Sequence, residues 1–215
     1  MIGLIMSRGR PPSHSRETLL EHGHTLFQQY GFHGTSLSMI LEACQVSRGS
    51  FYNYFGGKEA YAIEVVEHYQ ALEIDRWDAE FKLLTGSHAS KIQTMLHRLL
   101  DDFDQEHERL GCLLANLSGE MSLASPAFRK AIRQAIQRVL ILIEEDMVTC
   151  QAEGSVRTDL SPRQLAALIW DYWQGALLRM RTEDSLTPLY QAIEMLWQHL
   201  LPPAQQITTA PKSST

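Results

Sequence analysis

Apolar positions in this chain recur at helical spacing almost from end to end. Leu19, Leu20, Gly23, Leu26, Phe27 and Tyr30 return every three or four residues, which predicts a helix from about Ser15 to Tyr30, ended by Gly31 and Gly34. Thr35-Ser36 then cap a short second helix whose inner face is Leu37, Ile40, Leu41 and Cys44. Gln45-Val46 is the shortest interruption in the chain. After it Ser47 caps a third short helix, Ser47–Phe55, with Phe51 and Phe55 facing inward and Gly56-Gly57 as its breaker. From Lys58 the pattern lengthens into a helix reaching Leu84, stopped by Thr85-Gly86-Ser87. Further helices are expected at Ser90–Glu106, Cys112–Met121, Pro126–Ala152, Pro162–Glu183 and Pro188–Leu201, three of them opened by proline at the first helical position. No segment reads as a strand. The expected fold is all-α: nine helices, three small ones followed by six longer ones.

The three small helices carry the first functional signal. Two short helices joined by a tight turn and supported by a third form a helix-turn-helix unit. On DNA such a unit lays its second helix in the major groove, N-terminal residues against base edges. Here that helix is Ser47–Phe55. Arg48 offers bidentate donors to guanine, and Ser47, Ser50 and Asn53 supply short hydrogen-bonding groups. The hydroxyls of Tyr52 and Tyr54 reach phosphates, which positions without reading sequence. Gly49 in the first turn costs about 1 kcal/mol relative to alanine, a cost that close backbone approach to a ligand explains. The plain alternative is a short surface helix with one apolar face. Lys58 begins the long helix, where the macrodipole disfavours a cation. A phosphate there would engage both the free N–H groups and the lysine, while Glu59 offers an internal offset.

Composition then limits the setting. With 44% apolar and 20% charged residues the chain has ordinary globular composition. A chain of 215 residues buries roughly 70% of its unfolded surface, so folding needs no metal or disulfide. Three cysteines (Cys44, Cys112, Cys150) cannot make a disulfide framework and fit a reducing cytoplasm. The longest apolar stretches carry charges, and Met1–Met6 lacks the basic start and length of a signal segment, so neither spanning nor export is expected. No cofactor or metal is expected: His22 and His24, two apart, point to different helix faces.

The net charge of −6 argues at first against a nucleic-acid partner. Its distribution reverses that. Residues 1–60 hold five basic side chains (Arg8, Arg10, Arg16, Arg48, Lys58) against four acids, while the remaining 155 hold 14 basic and 21 acidic. A near-neutral head on an acidic body orients the molecule toward DNA. Residues 1–14 read as a flexible basic arm, 15–57 as the helix-turn-helix domain, 58–201 as a second helical domain and 202–215 as a disordered tail. In the arm, Arg8-Gly9-Arg10-Pro11 is similar to the core of AT-hook peptides, whose arginines suit a narrow minor groove; a solvated tail is the other reading.

Phe32-His33-Gly34-Thr35-Ser36, then Ile40, then the run from Val46 through Arg48, Phe51, Tyr52 and Tyr54 to Lys58-Glu59 resembles the signature of the tetracycline-repressor family of bacterial transcription regulators. The dense part covers residues 15–64. The resemblance implies a three-helix DNA-binding head, a larger ligand-binding helical domain, and a homodimer on double-stranded operator DNA. It also implies DNA contacts at Thr35, Ser36, Ser47, Arg48, Ser50, Tyr52, Asn53, Tyr54 and Lys58. Gly111-Cys112-Leu113-Leu114-Ala115-Asn116-Leu117-Ser118, with Glu120 and Trp173-Gln174-Gly175-Ala176, is similar to the branch that includes N-ethylmaleimide-responsive and acrylate-responsive repressors. In the maleimide-responsive member the matching cysteine senses electrophiles, which implies a sensory role for Cys112.

Read from its own residues, Cys112 opens a helix after Gly111, with His107 and Arg109 upstream; a helix N-terminus and cations both favour thiolate. Cys44, on the inner face of the second helix, and Cys150, on a long amphipathic helix, read as core or surface thiols. Trp77, Phe81, Phe103 and Trp173 are expected to line an apolar effector pocket with Cys112. Helix Pro162–Glu183 shows two apolar stripes where a monomer core needs one, and the second asks for a partner. Leu165, Leu168 and Tyr172, with Leu196 and Trp197 on the last helix, are the expected dimer contacts in a four-helix bundle. The leading expectation is therefore a ligand-responsive repressor and not an enzyme. A small helical enzyme with Cys112 as nucleophile is the competing one, against which stands the lack of a Cys/His/Asp signature.

Overall fold

A computed structural model describes residues 15–105 and 110–203. The arm arginines Arg8 and Arg10, the cations His107 and Arg109 and the tail from residue 204 lie outside the described residues. The elements are α1 (Arg16–Gly34), α2 (Leu37–Ala43), α3 (Arg48–Phe55), α4 (Lys58–Lys82), α5 (His88–Gln105), α6 (Leu113–Met121), α7 (Pro126–Ala152), α8 (Pro162–Glu183) and α9 (Thr187–Met195), followed by a π-helical turn, Leu196–Leu200. Among the described residues there is no strand, and no helix is long and apolar enough to cross a membrane.

The starts follow local chemistry. Ser15, Ser36, Ser47, Ser125 and Ser161 each accept a hydrogen bond from the amide three residues on. Each satisfies a donor that the helix leaves free, worth about 1 kcal/mol. Gly31 (φ 69°) breaks α1, and Gly56 (φ 74°) closes α3 in the left-handed region. The expected Thr35 cap is corrected: Ser36 does the capping, and Thr35 is buried.

The last helix departs from expectation. Instead of one α-helix from Pro188 to Leu201, the chain widens after Met195 so that the Leu201 amide bonds the Leu196 carbonyl at 2.8 Å. The loop before α8 holds this turn: the Arg157 amide donates to the Leu201 carbonyl (2.8 Å) and its guanidinium to Leu200 (3.3 Å). Widening turns Leu196 and Leu201 into the core made by Met147, Cys150 and Leu165.

Three apolar clusters organise the molecule. In the first, Leu19, Phe27, Ile40, Phe51, Tyr61 and Val65 of the helix-turn-helix head and α4 pack with Leu113, Leu117 and Phe128, so the head's core runs on into α6 and α7. The second joins α5, α7, α8 and the π-helical turn, and the third joins α5, α8 and α9. The middle position of α8 corrects the two-stripe reading. Leu165 faces the second cluster while Leu177 and Met180 face the third. Most of both stripes serves the protomer's own core, and Tyr172 is left exposed.

Candidate DNA-binding face and effector region

The head's second short helix, α3, is set by its buried side. Phe51 and Phe55 meet Tyr61 of α4 with ring centroids 5.2 and 4.7 Å apart, edge-on. Tyr61 is fully buried, donates its hydroxyl to the Leu19 carbonyl, and has its ionisation pushed far up by burial. With that side fixed, Ser47, Arg48, Gly49, Tyr52 and Asn53 form the exposed face. The Arg48 guanidinium lies 5.8 Å from the Tyr52 ring centroid, and the Ser47 and Ser50 hydroxyls sit 3.0 Å apart. Ser36, the cap of α2, is exposed, and Tyr54 is half-buried, packed toward the head's core.

One residue expected at the DNA contact behaves otherwise, and a second is partly engaged by the protein. Thr35 is fully buried and its hydroxyl bonds the Gly31 (2.7 Å) and Leu26 (3.1 Å) carbonyls, so it braces the end of α1 instead of facing DNA. Lys58 stands 4.2 Å over the Phe32 ring. Burial pulls its ionisation down, and the Glu120 carboxylate opposes that. Its position at the α4 start is as expected, but its ammonium is already shared with the protein.

Sequence reasoning missed Arg16. It donates to the Tyr54 carbonyl (3.1 Å) and to Glu64 (3.1 Å) and lies over the Phe55 ring, tying α1, α3 and α4 together. Glu120 was noticed only through the resemblance. Its carboxylate accepts from the His33 amide at 2.9 Å, and Gln28 donates to the Gly111 carbonyl at 3.3 Å. Both ends of α6 are thus bonded to α1. Neither contact has a local pattern, because the partners lie 87 and 83 positions apart.

Cys112 is the N-cap of α6 and half-buried, packed between the first and third clusters. The expected low thiol pKa is corrected: burial pushes it up, against the pull of the Ala115 and Leu114 amides and the Gln174 side chain. Gln174 itself has its Oε1 buried with no hydrogen-bond partner among the described residues. The expected pocket aromatics are divided. Phe103 and Trp173 join Cys112 in the third cluster, Phe81 belongs to the second, and Trp77 lines a shallow charged groove between α4 and α5. Cys44 and Cys150 are core residues.

Two of the expected dimer contacts, Leu165 and Leu196, are corrected. Leu165 and Leu196 are buried inside the protomer, and Trp197 packs against the second and third clusters. Leu168 is half-buried. Tyr172 alone of the expected set is exposed, together with Leu178 (67%) on α8 and Tyr190 (50%) and Met195 on α9.

A capped tri-helical head presenting one polar, cationic helix face, bonded through α6 to a larger helical body, defines a helix-turn-helix transcriptional regulator. Residues 19–65 match the tetR-family domain of bacterial regulatory proteins, and residues 89–196 match the tetracyclin repressor-like C-terminal domain. The chain belongs to the tetR family. It is a ligand-responsive DNA-binding regulator, not an enzyme. It is 28% identical over 193 residues to the transcriptional repressor DhaR of a Mycobacterium species, covering 90% of this chain and 96% of that protein. To the transcriptional repressor NemR of Escherichia coli it is 29% identical over 190 residues, covering 88% and 96%. The crystal structure of reduced NemR superposes with a TM-score of 0.78 at 30% identity, covering 85% of this chain and 95% of that one.

Proposed function

We propose that this regulator is a cytoplasmic homodimeric repressor that leaves its operator when a small electrophilic or unsaturated molecule engages the body at the Cys112 end of α6. Base contacts come from Ser47, Arg48, Ser50 and Asn53, and backbone contacts from Ser36, Tyr52, Tyr54 and Lys58. The dimer forms through the exposed Tyr172, Leu178 and Tyr190 face. The observation that carries this reading is the bond from Gln28 of α1 to the carbonyl of Gly111, the residue preceding Cys112. A ligand that moves the start of α6 moves the head directly. α4, about 37 Å long at 1.5 Å per residue, gives a second and longer connection from head to body. The unpartnered Gln174 oxygen beside Cys112 is where an effector's donor would bond.

An effector shifts the equilibrium only by its differential affinity for the two arrangements. A coupling of about 1–3 kcal/mol lowers operator affinity by roughly 5–150-fold. The test is operator binding by gel shift with and without N-ethylmaleimide. Cys112→Ser should bind operator like the parent and lose release, while Cys44→Ser and Cys150→Ser should respond. A normally responding Cys112→Ser protein would reduce the thiol to packing. Because burial raises the Cys112 pKa, its modification should also accelerate as pH rises from 7 to 9, unlike a preformed thiolate.

A further inference from the structure

α7 opens with Arg129, Lys130, Arg133 and Arg138 and has no acid before Glu144, in a chain of net charge −6. Cations in the first turns of a helix oppose its macrodipole, so the helix's own stability does not select them. Arg138 is engaged, donating to Gln70 at 2.6 Å. Arg129 and Arg133, one turn apart, are exposed and pair with no carboxylate among the described residues. Both line a cleft of about 230 Å³ between α6 and α7. Opposite them stand Ser118 and Ser122 with hydroxyls 3.1 Å apart, and Ile132 and Ile136 form an apolar floor.

We propose that this cleft binds a small organic anion, a carboxylate carrying a short apolar body. Planar guanidiniums hold carboxylate oxygens in pairs, and the serine hydroxyls can donate to whatever lone pairs remain. The isoleucines give the apolar body a surface to leave water for. Inorganic phosphate satisfies only the charged end, and a neutral alcohol only the apolar end. The inference rests on the ligand-responsive reading above and adds to it a second ligand class and site. Glu120, which holds the His33 amide of the head, lies between Ser118 and Ser122 on α6. An anion that draws those serines toward α7 therefore acts on the helix that anchors α1.

Calorimetric titration of the full-length protein with octanoate, octanol and inorganic phosphate, alongside operator gel shifts, tests this. Octanoate should bind at least about tenfold more tightly than octanol or phosphate. Arg129→Gln/Arg133→Gln should weaken octanoate by at least about tenfold, a change of about 1.4 kcal/mol, with melting temperature and operator affinity unchanged. Ser122→Ala should weaken it to a lesser degree. Equal octanoate affinity in the double variant, phosphate binding as tight as octanoate, or no octanoate binding by the parent would overturn the proposal. So would loss of operator affinity in the ligand-free double variant, which would assign the arginines to the DNA backbone. A parent protein released by N-ethylmaleimide but indifferent to octanoate loses the anion site alone; indifference to both also removes the ligand-responsive reading beneath it.

Discussion

Replacing Gly23 with alanine sets helix propensity against packing. In an open helix the change stabilises by about 1 kcal/mol. In α1 the added Cβ would fall on the Tyr61 hydroxyl and on Cγ2 of Val65. Neither can swing away, since both residues are fully buried and the Tyr61 ring is wedged against Phe51 and Phe55. Overpacking of this kind costs about 1–3 kcal/mol. Pushing the hydroxyl off the Leu19 carbonyl strands a buried donor, at about 1–3 kcal/mol more. Net destabilisation should therefore be about 1–5 kcal/mol after the propensity gain. Each kcal/mol lowers the melting temperature by about 2–4 °C in a chain of this size. Urea unfolding gives the free energy, and operator affinity should fall with it because α3 is aligned by the same ring cluster. Tyr61→Phe removes one of the atoms struck by the new methyl, the hydroxyl oxygen, so the double variant should cost less than the two changes separately, by about 0.5–3 kcal/mol. If Gly23→Ala instead stabilises by about 1 kcal/mol, the close approach of α1 to α4 is wrong.

Arg48→Ala should lose about 1–3 kcal/mol of operator binding and relax preference at one base pair without changing stability; parent-like affinity and selectivity would remove Arg48 from the base contacts. Leu178→Glu with Tyr190→Glu should yield folded monomers in sedimentation with poor operator affinity, whereas Leu196→Glu should unfold the protein, because Leu196 is core. A folded Leu196→Glu monomer would restore the dimer role to that position. Burial holds the His24 pKa below its ordinary 6.5, with Gln28 opposing and His68 reinforcing. The folded state then binds this proton less readily than the unfolded state, so its contribution is full above pH 6.5 and is lost on acidification below it. His24→Gln should flatten the fall in melting temperature between pH 7 and 5, and an unchanged slope would refute the assignment.

Helix order and most boundaries were legible in the chain because their causes are local: apolar spacing, the capping serines Ser36 and Ser47, prolines at first turns and glycines at breaks. The polar face of α3 was legible for the same reason, since Phe51 and Phe55 at one-turn spacing leave Ser47, Arg48, Tyr52 and Asn53 outside. What a residue does across the core was not. Thr35 read as a cap and became a brace within the buried end of α1; Leu165 and Leu196 read as dimer contacts and became core; Cys112 read as an activated thiol and is raised by burial. An amphipathic pattern shows that a face is covered without showing by what, and for α8 the cover is α7 on one side and α9 on the other. The bonds joining α6 to the head connect residues more than 80 positions apart, and only the folded chain brings them together. Local chemistry determined the helices, and the tertiary packing decided which of their faces remain free to meet DNA, ligand or a second copy of the chain.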